Sequence, residues 1–188
     1  SSVRLKIYCW SGDIEAAAKV VRGRELSPDV VVDRDNEEEI TAYARYLVAR
    51  GDYSDATQVL SRVLPIVREG GRVQREIHAL TLLAKAQELT GETALALESL
   101  GSATMLGEPG RFSRTFAVDG PVIGGLVEAL TNAVRRGRGP AEAGSPSYLA
   151  DLLPDTGVGL ASSSTQAAVA DLAEPLTSRE LEVLRLIA

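Results

Sequence analysis

One cysteine and one histidine stand in 188 residues, and no run of about 18 consecutive apolar residues occurs anywhere. A single thiol, Cys9, makes no internal disulfide, which fits a reducing cytoplasm and removes the usual four-ligand structural zinc sites. Neither a membrane span nor an N-terminal signal pattern is present, so the expectation is a cytoplasmic chain with no membrane partner. Cationic side chains are outnumbered: 20 Lys and Arg face 26 Asp and Glu, a formal charge of −6. Phosphate contacts come chiefly from Lys and Arg, so the bulk of the chain is not expected to bind nucleic acid. With one His, one Cys and no paired carboxylates in a recognisable frame, no catalytic constellation emerges. The chain is not expected to be an enzyme or to hold a metal or cofactor of its own.

What is abundant is apolar sequence, 45% of the residues, enough for a sizeable core. It is organised as a repeat. "SGDIEAAAKVV" from Ser11, "RGDYSDATQVL" from Arg50 and "TGETALALESL" from Thr90 each read Gly-acid-x-x-x-Ala, with an apolar residue nine positions after the glycine. Gly12, Gly51 and Gly91 lie 39 and 40 residues apart. A glycine supplies the left-handed residue that ends one helix. Ala17, Ala56 and Ala96 are small enough to let the next helix run back close against the first. The unit is therefore a helical hairpin, and hairpins of this kind bury their faces by stacking into a solenoid. The period lies above the usual tetratricopeptide length and within the range of HEAT-type repeats, so it does not choose between them; the glycine-to-alanine spacing favours the former.

This pattern predicts helices over 3–11, 13–23, 36–50, 53–69, 73–90, 92–106 and 121–136, with a short one across Pro146 to Leu153. Pro65 is expected to kink or end the fourth, because it removes an amide donor inside a helix. Residues 154–174, rich in Ser, Thr and Ala, read as a linker. From 175 a new helix is expected: Thr177 and Glu180 form a capping box, and Leu176 and Leu181 a hydrophobic staple. Its apolar stripe of Leu181, Val183, Leu184 and Ile187 calls for a partner, which folding back onto the solenoid or a homodimer would provide. The first residues read as mid-helix and the last as the opening of a domain, so native sequence is expected beyond both ends.

"LTSRELEVLRLIA", the final thirteen residues, resembles the opening of a LuxR-type helix-turn-helix domain. Upstream, "WSGDIEAAAKVVRGRELSP", "LVARGDYSDATQVLSRVLPIVREGGR" and "PGRFSRTFAVDGPVIGGLVEAL" resemble the tetratricopeptide-like domain of large MalT-like LuxR regulators, in the family's order. The resemblance implies an all-α, right-handed solenoid over 1–153, a linker over 154–174 and the scaffold helix of a helix-turn-helix over 175–188. It also implies that the solenoid senses a small-molecule inducer or a partner protein on its concave face. ATP would belong to an ATPase domain of the parent protein, and DNA would be bound through a recognition helix outside this chain. The alternative is a protein-binding scaffold that senses no small molecule.

Six residues are candidates for effector binding. Gln74 and His78, four apart on one helix, could line a groove, although an ordinary partly buried or exposed histidine is commoner. Tyr43 and Tyr46 lie on the first helix of their hairpin, the one that lines the concave surface in tetratricopeptide arrays. They could stack on a sugar or peptide, against the more frequent role of packing between repeats. Arg111 and Arg114 could fork a carboxylate or phosphate, against ion pairs with Glu108 and Asp119. Arg135, Arg136 and Arg138 suit a helix C-terminus, and Asn36 to Glu39 a helix N-terminus. Gly157 to Gly159 is a weak match to a nucleotide-binding loop, since the preceding strand and further glycine are missing.

Overall fold

The computed structural model describes residues 2–117 and 119–153, and among them there are nine helices and no strand. They are α1 (Ser2–Ser11), α2 (Ile14–Gly23), α3 (Glu37–Arg50), α4 (Tyr53–Glu69), α5 (Val73–Leu89), α6 (Thr93–Gly107), α7 (Ser113–Ala117), α8 (Pro121–Arg135) and α9 (Pro146–Leu152). The first six form three hairpins in chain order, and each hairpin packs on the next: α1 on α3, α4 on α5. This is a tetratricopeptide-like helical solenoid. The predicted linker, the terminal helix and Gly157 to Gly159 lie outside the described residues.

The repeat glycines act as the spacing predicts. Gly51 and Gly91 sit at φ of +95° and +84°, a conformation that L side chains rarely adopt. The helix after each turn starts two residues after its glycine, and after Gly12 the Asp13 carboxylate accepts the Ala16 N–H at 2.9 Å. Ala17, Ala56 and Ala96 are all fully buried where the two helices of a hairpin meet. The positions nine after each glycine, Val21, Leu60 and Leu100, are buried too. Each such Leu or Val contributes about 1.5–3 kcal/mol of apolar burial, so the repeat motif is the core of the solenoid.

Of the two outcomes expected at Pro65, a helix end is excluded: α4 keeps its predicted span through Pro65 to Glu69, and Pro65 is exposed. The free carbonyl one turn earlier, on exposed Ser61, faces solvent, which limits the cost. The short α7 went unread because five residues are too few for a helical period to show.

Beyond the third hairpin, α8 packs on α6 and α9 on α8. The 139–146 segment lies along α6. A Cβ at Gly101 would stand 2.3 Å from the Glu142 carbonyl oxygen, and one at Gly107 would stand 2.8 Å from Tyr148 Oη. The Thr104 hydroxyl accepts the Gly144 N–H at 3.1 Å, and the Glu108 carboxylate accepts the Ser145 N–H at 2.9 Å as well as its hydroxyl. Ser145 in turn caps α9, with Pro146 in its first turn.

Candidate functional site

The first helices of the three hairpins, α1, α3 and α5, come together on one face and line a cavity of about 270 Å³. Its apolar wall is Trp10 near the end of α1, 56% exposed, with the Arg45 guanidinium 5.7 Å from the ring centroid. That distance is within cation–π range. Gln74 and His78 face the same cavity from α5. They are the two sequence candidates that the fold brings to it.

The floor is a chain of ion pairs built by helix N-termini and register. Three acidic residues in the first turn of α3 suit its dipole, but Glu37 and Glu38 also reach across to neighbouring helices. Lys6 donates to Glu38 at 2.9 Å, and Arg75 spans both acids, 2.6 Å to Glu37 and 3.1 Å to Glu38. Arg72 makes a second close pair with Glu37, which is 1% exposed. Burial of this kind is tolerated because the charge is paired. The Glu37 Oε2 atom has no hydrogen-bond partner among the described residues.

Asp119, from the connection between α7 and α8, engages one of the cavity's cations. Its carboxylate pairs with Arg45, and its main-chain carbonyl accepts from Lys85 Nζ at 2.8 Å. His78, half-buried beside these groups, is held below its ordinary value of 6.5. Burial is the main cause, Arg45 and Lys6 add to it, and Asp119 opposes it. Toward neutral pH the ring is therefore uncharged and offers the cavity one donor and one acceptor.

The other candidates lie elsewhere. Tyr43 and Tyr46 are buried at 4% and 3% exposure and stack on each other, centroids 6.2 Å apart. They belong to the packing between hairpins and do not line the cavity. Arg111 pairs with Asp151 at 2.6 Å, and Arg114 is exposed on α7. The expected partners are engaged differently: Glu108 holds Ser145, and Asp119 holds Arg45. Arg135, Arg136 and Arg138 are exposed at the end of α8, where its dipole favours cations. Sequence reasoning passed over Trp10, Lys6, Arg45 and Arg75. A signal was available for two of them, since Lys6 and Arg45 each stand six residues before a turn glycine.

Among the described residues no cluster of His, Cys, Asp and Glu could hold a metal ion, and no helix is long and apolar enough to cross a membrane. Stacked helical hairpins with a tryptophan-walled cavity on one face define a tetratricopeptide-like repeat domain. A family model described as the MalT-like TPR region matches residues 1–133, more than two thirds of the chain. The chain belongs to that family, which points to a sensing or interaction domain of regulator type. Comparison with curated proteins and with solved structures finds no match.

Proposed function

We propose that this chain is the effector-sensing and interaction region of a LuxR-type, MalT-like bacterial transcriptional regulator of the cytoplasm, with the cavity between α1, α3 and α5 as its recognition site. The family match over residues 1–133 carries the reading, and the likeness of Leu176 to Ala188 to the opening of a LuxR-type helix-turn-helix supports it. An effector seated between hairpins would shift the resting equilibrium by its unequal affinity for two arrangements of the solenoid. In the parent regulator, ATP would serve a separate ATPase domain and DNA would engage a recognition helix outside this chain.

A thermal-shift screen of small metabolites tests this. A ligand at a hundred times its Kd stabilises by about 2.7 kcal/mol, which raises Tm by roughly 5–11 degrees for a domain of this size. Hits acting at the cavity lose their effect when Gln74 and His78 are both changed to Ala. Hits that stabilise this double variant equally well would remove the cavity from the reading.

A second reading, a scaffold that docks a protein and senses no small molecule, is favoured by one observation. Val3, Ile7 and Trp10 are exposed at 60%, 51% and 56% and recur at i, i+4 and i+7 on α1. A bound partner lost on changing Ile7 to Glu, with no metabolite hit at the cavity, would select it.

A further inference from the structure

Counting back six residues from each turn glycine gives Lys6, Arg45 and Lys85, one cation from each of α1, α3 and α5. The turns put these positions in register, so successive hairpins present a cation at the same place on the face that carries the cavity. The interval between the second and third cations shows what fits there. It holds Asp119, with the carboxylate on Arg45 and the carbonyl on Lys85. The interval between the first and second, Lys6 and Arg45, opens into the cavity.

From this register we infer that the cavity binds a small carboxylate carried on a flat apolar body, the acid directed between Lys6 and Arg45 and the body laid against Trp10. The inference rests on the reading of the cavity as the recognition site and names the ligand's chemistry. Three cationic side chains, Lys6, Arg45 and Arg75, and two anionic ones, Glu37 and Glu38, line the cavity. The flanking Arg72 and Asp119 cancel. The site therefore carries one positive charge in excess on a chain of net charge −6. The guanidinium and ammonium groups are paired but not used up. An Arg has five N–H donors and a Lys three; Lys6 is engaged with Glu38, and Arg45 with Asp119 through one guanidinium nitrogen.

Charge-assisted hydrogen bonds to a carboxylate are about twice as strong as neutral ones, and partial enclosure weakens competition from water. The half-exposed indole face offers an offset stacking surface for a planar body. A volume near 270 Å³ suits a ligand of one ring and a short acid arm.

Trp10 is the one tryptophan of the chain, so its fluorescence reports on the cavity directly. The experiment titrates the full chain with phenylacetate and with its neutral isostere phenylacetamide, following that signal. The acid is expected to bind about tenfold tighter than the amide. Lys6→Met should remove most of that preference, and Lys85→Met, at the far interval, should leave it. Far-ultraviolet circular dichroism shows that each variant is folded, and Lys6 is exposed enough at 28% of its side chain for the change to be tolerated. Equal binding of acid and amide, or an equal loss in both variants, would overturn the inference. A response to the amide alone would keep the cavity as a recognition site and remove the carboxylate. No response of Trp10 to either compound would count against both.

Discussion

At the scale of single residues, close helix packing and cavity lining obey different rules: the repeat motif and the Gln74 and His78 pair follow from local spacing, and Trp10 and Arg75 do not. Ala17, Ala56 and Ala96 stood out because close helix packing requires small side chains at a fixed distance from the turn, a local constraint that sequence states openly. Tyr43 and Tyr46 stayed between two readings for the opposite reason. Which side of α3 faces the cavity and which faces the next hairpin depends on a helix rotation that only tertiary packing sets. Trp10 and Arg45 form their contact across 35 residues of chain, and Arg45 reaches Asp119 across 74. No spacing rule joins them.

His78 yields a pH dependence. Its folded value lies below 6.5 because burial disfavours the charged ring, so the unfolded chain binds the proton more readily. The contribution of the neutral ring is fully present above the unfolded value and is lost as pH falls through 6.5 toward the lower folded value. We expect Tm to decline over that window, and His78→Gln to flatten the decline. An unchanged profile in the variant would show that other groups carry it. At lower pH still, Glu38 adds a second loss. Its hydrogen bond and ion pair with Lys6, aided by Arg75, hold it below 4.5 against its own desolvation, and that stability goes as it is protonated.

At the scale of elements, seven helix spans follow from the spacing of apolar residues and turn glycines, each within a residue or so at either end. The exception marks where period carries no information: α7 is too short. Pro65 costs α4 a hydrogen bond that an alanine would restore. Pro65→Ala is expected to raise unfolding stability by about 1 kcal/mol or more, since an interior proline costs about 3 kcal/mol or more, partly offset by the unfolded-state entropy that the variant regains. Urea denaturation reads this directly; a loss of stability would mean that the restored amide matters less than the freedom given to the unfolded chain.

Glycines of α6 and α8 divide by the same physics. Gly125 is exposed and a Cβ there meets nothing within 4 Å. Gly125→Ala should stabilise by about 0.5–1 kcal/mol. Gly101→Ala should destabilise by about 1–3 kcal/mol, because the methyl group would drive the Glu142 carbonyl off α6. The same denaturation series, run on both variants, separates the two effects; equal shifts would deny the close approach at Gly101.

At the scale of the whole molecule, a stacked array shares its stability between neighbours, and α6 is an uneven sharer. Gly101 and Gly107 lower its intrinsic helix propensity by about 1 kcal/mol each, and both stand open to the 139–148 segment that covers them. The family match ends at residue 133, short of that cover. A chain ended after Gly137 should therefore lose more helix signal by circular dichroism than the seven residues of α9 account for, and should melt less sharply. Loss confined to α9 would show that α6 stands without its cover. On the expected outcome, the end of the family match and the end of the cooperative folding unit would fall at different places in this chain. The two glycines of α6 would then make the third hairpin thermodynamically dependent on residues 139–148, which the family match does not reach.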